Sequence, residues 1–273
     1  CDFMNKEKDF GQGSVSANIL RLAIPMTLAQ LINVLYNVVD RIYIGHIPHT
    51  STQALTGIGL TLPVITIITA FANLFGMGGA PLFSMARGAD EPERAERIMG
   101  NSFAMLLASG ALLAVFCYLF KHPLLYLFGA SDVTYPYANA YISIYLLGTL
   151  FVMVSLGMNN FINAQGFGVT GMLTVSIGAL LNLVLDPLFI FVFHMGVRGA
   201  ATATILSQCV SCIWVLHFLT GEKAIIKLTR KQLHLNFSLI REISALGLSG
   251  FVMSITNSSV QIMCNATLQR YGG

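Results

Sequence analysis

Charge is what this sequence has least of. Lys, Arg, Asp and Glu make up 10% of its 273 residues, against about 25% in a soluble globular domain. With 55% hydrophobic residues and a mean hydropathy of +0.71, that shortage places the chain among multi-span membrane proteins. The apolar runs lack period-two alternation, which excludes barrel strands and leaves helices. The five cysteines form no pattern of a secreted disulfide framework; Cys209 and Cys212 make a CxxC inside an apolar run, where helix packing is the simplest reading. No GK[ST] follows Gly76, Gly78 and Gly79, so those glycines read as close helix packing and not as a phosphate loop. No Ser, His or Cys constellation points to an enzyme, and nothing points to nucleic acid or an organic cofactor. The N-terminal apolar run contains Pro25 and Asp40 and lacks a small-residue cleavage site, so it reads as a retained span.

What is present is a series of long apolar helices. Seven spans are expected, near 18–44, 54–83, 97–120, 137–162, 170–194, 199–220 and 243–269. The fold class is all-α: a six-helix transmembrane bundle plus a seventh helix. The expected organisation is a cytoplasmic tail at 1–17, the bundle at 18–220, a basic linker at 221–242 and a further helix at 243–273. Asp90 and Glu93 are spaced as a capping box for the third span. A cytoplasmic N-terminus puts eleven of the fifteen Lys and Arg residues inside and leaves Arg41, Lys121, Arg198 and Arg270 outside. The expected place is therefore the plasma (inner) membrane, multi-pass, with the N-terminus inside.

Of twelve acidic residues, only Asp40 and Asp186 fall within the spans. An Asp at the centre of a span costs about 2.5–3.5 kcal/mol on insertion scales. In VLYNVVDRIYIG, Asp40 continues a polar stripe: Gln30, Asn33, Asn37 and Asp40 share one helical face, with Tyr36 beside it. In NLVLDPLF, Asn182 and Asp186 are one turn apart and stack on one face. Pro187 follows and cannot donate to the carbonyl of Leu183. Such acids have two functional roles open to them. One is proton carriage, which burial beside a second carboxylate favours by penalising the charged form. The other is a hard-cation site, with sodium held by oxygens of Asp40, Asn182 and Asp186. The bland alternative is that each acid pairs with a donor, such as Arg41 or a Tyr, and only locks helices together.

At these residues the sequence resembles the multidrug and toxic compound extrusion (MATE) family. The resemblance rests on IPMTLAQLINVLYNVVDRIYIG, ALTGIGLTLPV, GMGGAPLFSMARGADEPERAERIMGNS, NLVLDPLFIF, GVRGAATATILSQ and SITNSSVQIMCNATLQRYGG, in this order. It implies twelve helices in two six-helix lobes, of which this chain would hold the first lobe and the start of the second. It also implies export through a central cleft, coupled to inward proton or sodium flow at a first-lobe site. On that resemblance Asp40, Asn182 and Asp186 match the coupling acids and amide, Thr204 a sixth-helix hydroxyl, and Tyr141 a fourth-helix tyrosine, with Tyr145 one turn away. Pro25 matches a first-helix proline at which bending has been proposed. Where many relatives have RGxGDT, this chain has NAQGFGVT at 163–170, without the Arg or the Asp.

The leading reading is a cation-coupled antiporter that exports amphiphilic organic cations. Its expected partners are the bilayer, those substrates and a missing second lobe. A lipid-linked precursor flippase is a second transport reading, although such proteins usually need a more cationic cavity. A half-transporter subunit without transport of its own is a third.

Overall fold

The computed structural model describes residues 15–47, 51–229 and 234–271, and among them the chain is helical without a strand. The expected tail charges Lys6 and Lys8, and Arg230 and Lys231 of the linker, lie outside the described residues. Ten α-helices follow in order: α1 (Val15–Gly45), α2 (Ser51–Gly59), α3 (Leu62–Gly88), α4 (Pro92–Leu119), α5 (Lys121–Leu127), α6 (Tyr135–Leu147), α7 (Thr149–Ala164), α8 (Gly168–Pro187), α9 (Val197–Thr220) and α10 (Phe237–Tyr271). Among the described residues six stretches are long and apolar enough to cross a membrane, and a bent pair, α6 and α7, brings the number to seven if it is one span.

The differences from the expected spans have local causes. The fourth span bends by 59° between α6 and α7. Its hinge, Gly148, lies so close to α9 that a Cβ there would sit 2.2 Å from Ile205. The second span is broken into α2 and α3 just before Pro63, which occupies the first turn of α3 where its missing N–H is harmless. The capping box at Asp90 and Glu93 does not form. Asp90 takes a left-handed φ of 59° to turn the chain, Glu91 becomes the cap position without a side-chain bond, and Pro92 opens α4. The seventh helix begins at Phe237, earlier than 243, because the Asn236 side chain accepts the N–H groups of Ser238 and Leu239.

Close approach of backbones organises the core. A Cβ on Gly76 of α3 would lie 2.7 Å from the Gly157 backbone of α7, so these helices meet main chain to main chain. Phe83 and Phe161 lock the same pair edge to face at 5.5 Å. α9 packs on α7 and α8, α1 lies mainly along α8, and α10 lies along α3. The glycines of NLFGMGGAPLFS thus serve packing, as their sequence context indicates.

One end of the bundle gathers the α3–α4 turn, the ends of α7 and α9, and the linker; it is called the linker end below. The linker folds onto this end. Ala224 and Ile226 are buried, and the Leu228 N–H bonds the Leu219 carbonyl at 2.8 Å. Gln165, 1% exposed, accepts the Ile226 N–H through its side chain, and its carbonyl accepts the Arg87 guanidinium.

Candidate functional site

The polar residues converge on a cavity of about 310 Å³ between α1, α3, α6, α7, α8 and α9. α1 contributes Asn33, Tyr36, Asn37 and Asp40, spaced to share one face. Gln30, expected on the same stripe, is exposed and lies outside this lining. The stripe partly satisfies itself, since the Asn37 amide donates to the carbonyl and the side-chain oxygen of Asn33 at 2.7 and 3.0 Å. Pro25 is buried two turns and more below, inside an unbroken α1.

α8 brings the second acid to the first. Asp186 is 1% exposed and Asn182 3%. The Asn182 amide donates to Asp186 Oδ1 at 3.2 Å and reaches Thr204 Oγ1 at 3.5 Å. Thr204 donates to the Ala200 carbonyl at 3.0 Å, which fixes its hydroxyl. Asp40 and Asp186 lie close enough for their charges to act on one another. Asp40 Oδ1 and Asp186 Oδ2 are buried with no donor from the protein. Two ionised carboxylates are acceptors only, so a bond between them needs a proton or a cation.

The structure brings Asp40, Asn182, Asp186 and Thr204 together, and Tyr141 and Tyr145 join them. The two rings stack at 6.1 Å with 17° between planes, both buried and both lining the cavity. Tyr141 and Thr204 both line the cavity. Arg41 lines the cavity near enough for its charge to act on Asp40, but the ion pairs among the described residues are Arg94–Glu91, Arg94–Glu242 and Arg97–Glu93. Past Pro187 the chain widens into a π-helical turn, Leu188–Val192. A π-turn beside a proline marks a helix whose hydrogen-bond register is already broken.

As a metal centre the site is sparse. Among the described residues no three His, Cys, Asp or Glu side chains group as ligands. A sodium ion would need the four carboxylate oxygens, Thr204 Oγ1 and an Asn182 amide turned to present its oxygen. The elements for a hard-cation site are therefore present, but with the amide in the other orientation.

Several cavity residues escaped the reading of the sequence: Ser155, Asn159, Thr174, Ser207, Gln208 and Ser211. Ser155 donates to Gln208 Oε1 at 2.7 Å, and Ser211 to the Thr174 carbonyl at 3.2 Å. Their signal is periodic. Thr170, Thr174, Gly178, Asn182 and Asp186 recur every four residues along α8, and Thr204, Ser207, Gln208 and Ser211 form a matching stripe on α9.

A pair of acids at the wall of a polar cavity in a multi-span bundle is the pattern of a membrane transporter. The chain belongs to the MatE family, whose model matches residues 25–188. It is 26% identical over 263 residues to the multidrug export protein MepA of Staphylococcus haemolyticus, covering 96% of this chain and 58% of that protein. Among solved structures it is similar to an outward-facing multidrug resistance MATE family transporter of the MOP superfamily. That match has a TM-score of 0.83 and 26% identity, over 92% of this chain and 56% of the other. It is also similar to a MOP superfamily transporter from Pyrococcus furiosus, whose binding pocket of reverse polarity suggests a different function for that protein. There the TM-score is 0.84 with 26% identity, over 93% and 56% of the two chains. The chain thus spans little more than half the length of these relatives.

Proposed function

We propose that this chain forms the first lobe, and the first helix of the second, of a cation-coupled antiporter that exports amphiphilic organic cations by alternating access. The observation that carries the reading is that Asp40 of α1 lines a polar cavity within electrostatic reach of Asp186 of α8, which is buried and held by Asn182 of the same cavity wall. When both acids are charged they repel across α1 and α8; a proton or a sodium ion between them removes that repulsion. A ligand shifts a conformational equilibrium only by its differential affinity for the two states. A pair whose spacing depends on the α1–α8 packing supplies such a difference. Asn182 holds Asp186 and in turn reaches Thr204, and Tyr36, Tyr141 and Tyr145 wall the cavity beside the pair.

The same reading places the protein in the plasma membrane with the N-terminus and the linker end in the cytoplasm, in keeping with the Lys and Arg bias. It treats residues 18–220 as the lobe and the remainder of the cleft as the work of a second lobe. The test is reconstitution of the full-length transporter in vesicles, with efflux of a fluorescent organic cation driven by a proton gradient alone or a sodium gradient alone. One gradient should drive efflux, and Asp40→Asn and Asp186→Asn should each reduce it to the protein-free rate. Wild-type efflux in both variants would sink the proposal.

A further inference from the structure

The cavity does not end at the acids. Buried polar side chains continue from it toward the linker end, and several have nothing to bond. Ser207 is 2% exposed and its hydroxyl has no partner; it sits one turn beyond Thr204 on α9. The bonded pairs Ser155–Gln208 and Ser211–Thr174 come next. Asn159 follows on α7, its amide donating to the Gly171 carbonyl at 3.3 Å while its buried Oδ1 stays unpaired. One turn further, Asn163 also holds a buried, unpaired Oδ1, packed so close to Gly171 that a Cβ there would lie 2.1 Å from it. At the linker end itself, Gln165 has a buried Nε2 without an acceptor. The file runs the length of α8 between Thr170 and Asp186, roughly 24 Å at 1.5 Å per residue.

This file needs a reason. Each unpaired buried polar group is unfavourable, more so within a membrane. Helix-to-helix adhesion would call for partners, and these atoms lack them. Groups of this kind spaced a turn apart are suited to water, or to a cation handed from oxygen to oxygen. Among the described residues the cavity lining between Asn182 and Asn159 carries no acid or base, and the charged group at the far end is Arg87, whose guanidinium donates to the Gln165 carbonyl.

We propose that this file, from Ser207 through Asn159 to Asn163, is the route by which the coupling cation leaves the Asp40–Asp186 pair toward the linker end, inside the lobe and apart from the cleft that the substrate uses. The inference rests on the antiport reading above. The cation passes as a hydrated proton or as sodium on neutral oxygens; no covalent step is involved.

Asn163 tests it, because it lies beyond the cavity lining and outside the acid cluster. The full-length transporter in vesicles is measured two ways: ethidium moved against its gradient by an imposed ion gradient, and ethidium exchange with no ion gradient. Asn163→Leu keeps the volume and removes the polar atoms; Asn163→Ser keeps an oxygen and leaves room for water. Asp186→Asn is run beside them. Asn163→Leu should slow gradient-driven movement at least tenfold, leave exchange within twofold, and Asn163→Ser should restore the drive. Gradient-driven movement within twofold of wild type in Asn163→Leu overturns the route. So does an equal fall in both assays, which would mean a packing role. If Asp186→Asn itself keeps full gradient-driven movement, the coupling reading fails and the route falls with it, an outcome distinct from a failure at Asn163 alone.

Discussion

The seam between α3 and α10 gives the sharpest test of the packing. Gly247 of α10 is buried against α3, and a Cβ there would lie 2.0 Å from the Leu74 carbonyl oxygen. Backbone cannot step aside as a side chain can, so Gly247→Ala must part the helices. Phe71 and Phe251, edge to face at 4.9 Å, and the bond from Ser258 to the Pro63 carbonyl at 3.1 Å lie further along the same seam and would loosen with it. Overpacking of this kind costs about 1–3 kcal/mol, which at about 2–4 °C per kcal/mol lowers Tm by roughly 2–12 °C. Gly250, one turn on, is the control: a Cβ there meets nothing within 4 Å. Gly250→Ala should gain up to about 1 kcal/mol of helix propensity and melt at or above the parent. Cys117 and Cys212 are buried free thiols, so a thiol-reactive dye reports melting in detergent without a new label. If Gly247→Ala melts with the parent, or Gly250→Ala falls as far, the seam is not packed as described.

Gly78→Ala should act like Gly247→Ala, since its Cβ would lie 2.2 Å from the Ile243 carbonyl. The double variant should lose less than the sum of the two in the same melt, because either one already parts the helices. Asn101, 1% exposed, accepts the Asn236 N–H at 2.7 Å and donates to the His234 carbonyl at 3.3 Å. Asn101→Leu strands both linker groups, at about 1–3 kcal/mol, and limited trypsin should then cut faster after the exposed Lys227. In the turn before α6, the Tyr126 hydroxyl donates to Asp132 at 2.8 Å, and that bond to a carboxylate holds its pKa above the ordinary phenol value. The sign follows, since losing the proton forfeits the bond and sets two anions together. Asp132→Asn should bring the Tyr126 absorbance titration to lower pH.

Much of the fold could be read from the residues because a membrane leaves few choices. Long apolar runs had to be helices, and Asp40 and Asp186 stood out because lipid penalises them. Periodicity put Asn182 beneath Asp186 and Asn33 and Asn37 beneath Asp40. Nearness of the two acids is a tertiary fact, and only the family resemblance paired them. Gln30 shows the limit of a helical stripe: its spacing fits, yet the residue is exposed and outside the cavity lining. The bend at Gly148 was illegible because the close approach of Ile205 that calls for glycine there comes from another helix. The capping box failed because Pro92 already supplied the start of α4 and Asp90 was needed in the turn. Ser207, Asn159 and Asn163 were hidden in plain composition, since Ser and Asn are common in helices and only the lack of partners sets these apart.

The acid pair still has to be separated from a mere helix lock, and the chemistry of asparagine does it. Two amides bond one another with no proton or cation, because each carries donor and acceptor. If Asp40 and Asp186 only join α1 to α8, the double variant Asp40→Asn, Asp186→Asn keeps that join and removes a buried repulsion. Exchanging buried charges for neutral groups of like volume is often neutral or stabilising. Packing therefore predicts that the double variant melts at or above the parent, whichever reading holds. Transport divides them. A lock restored by amides leaves gradient-driven efflux intact, whereas a coupling pair without an exchangeable charge leaves a stable protein that cannot be driven. A stable double variant with full gradient-driven efflux would refute the coupling role; a stable one that exchanges ethidium but ignores the ion gradient would establish it.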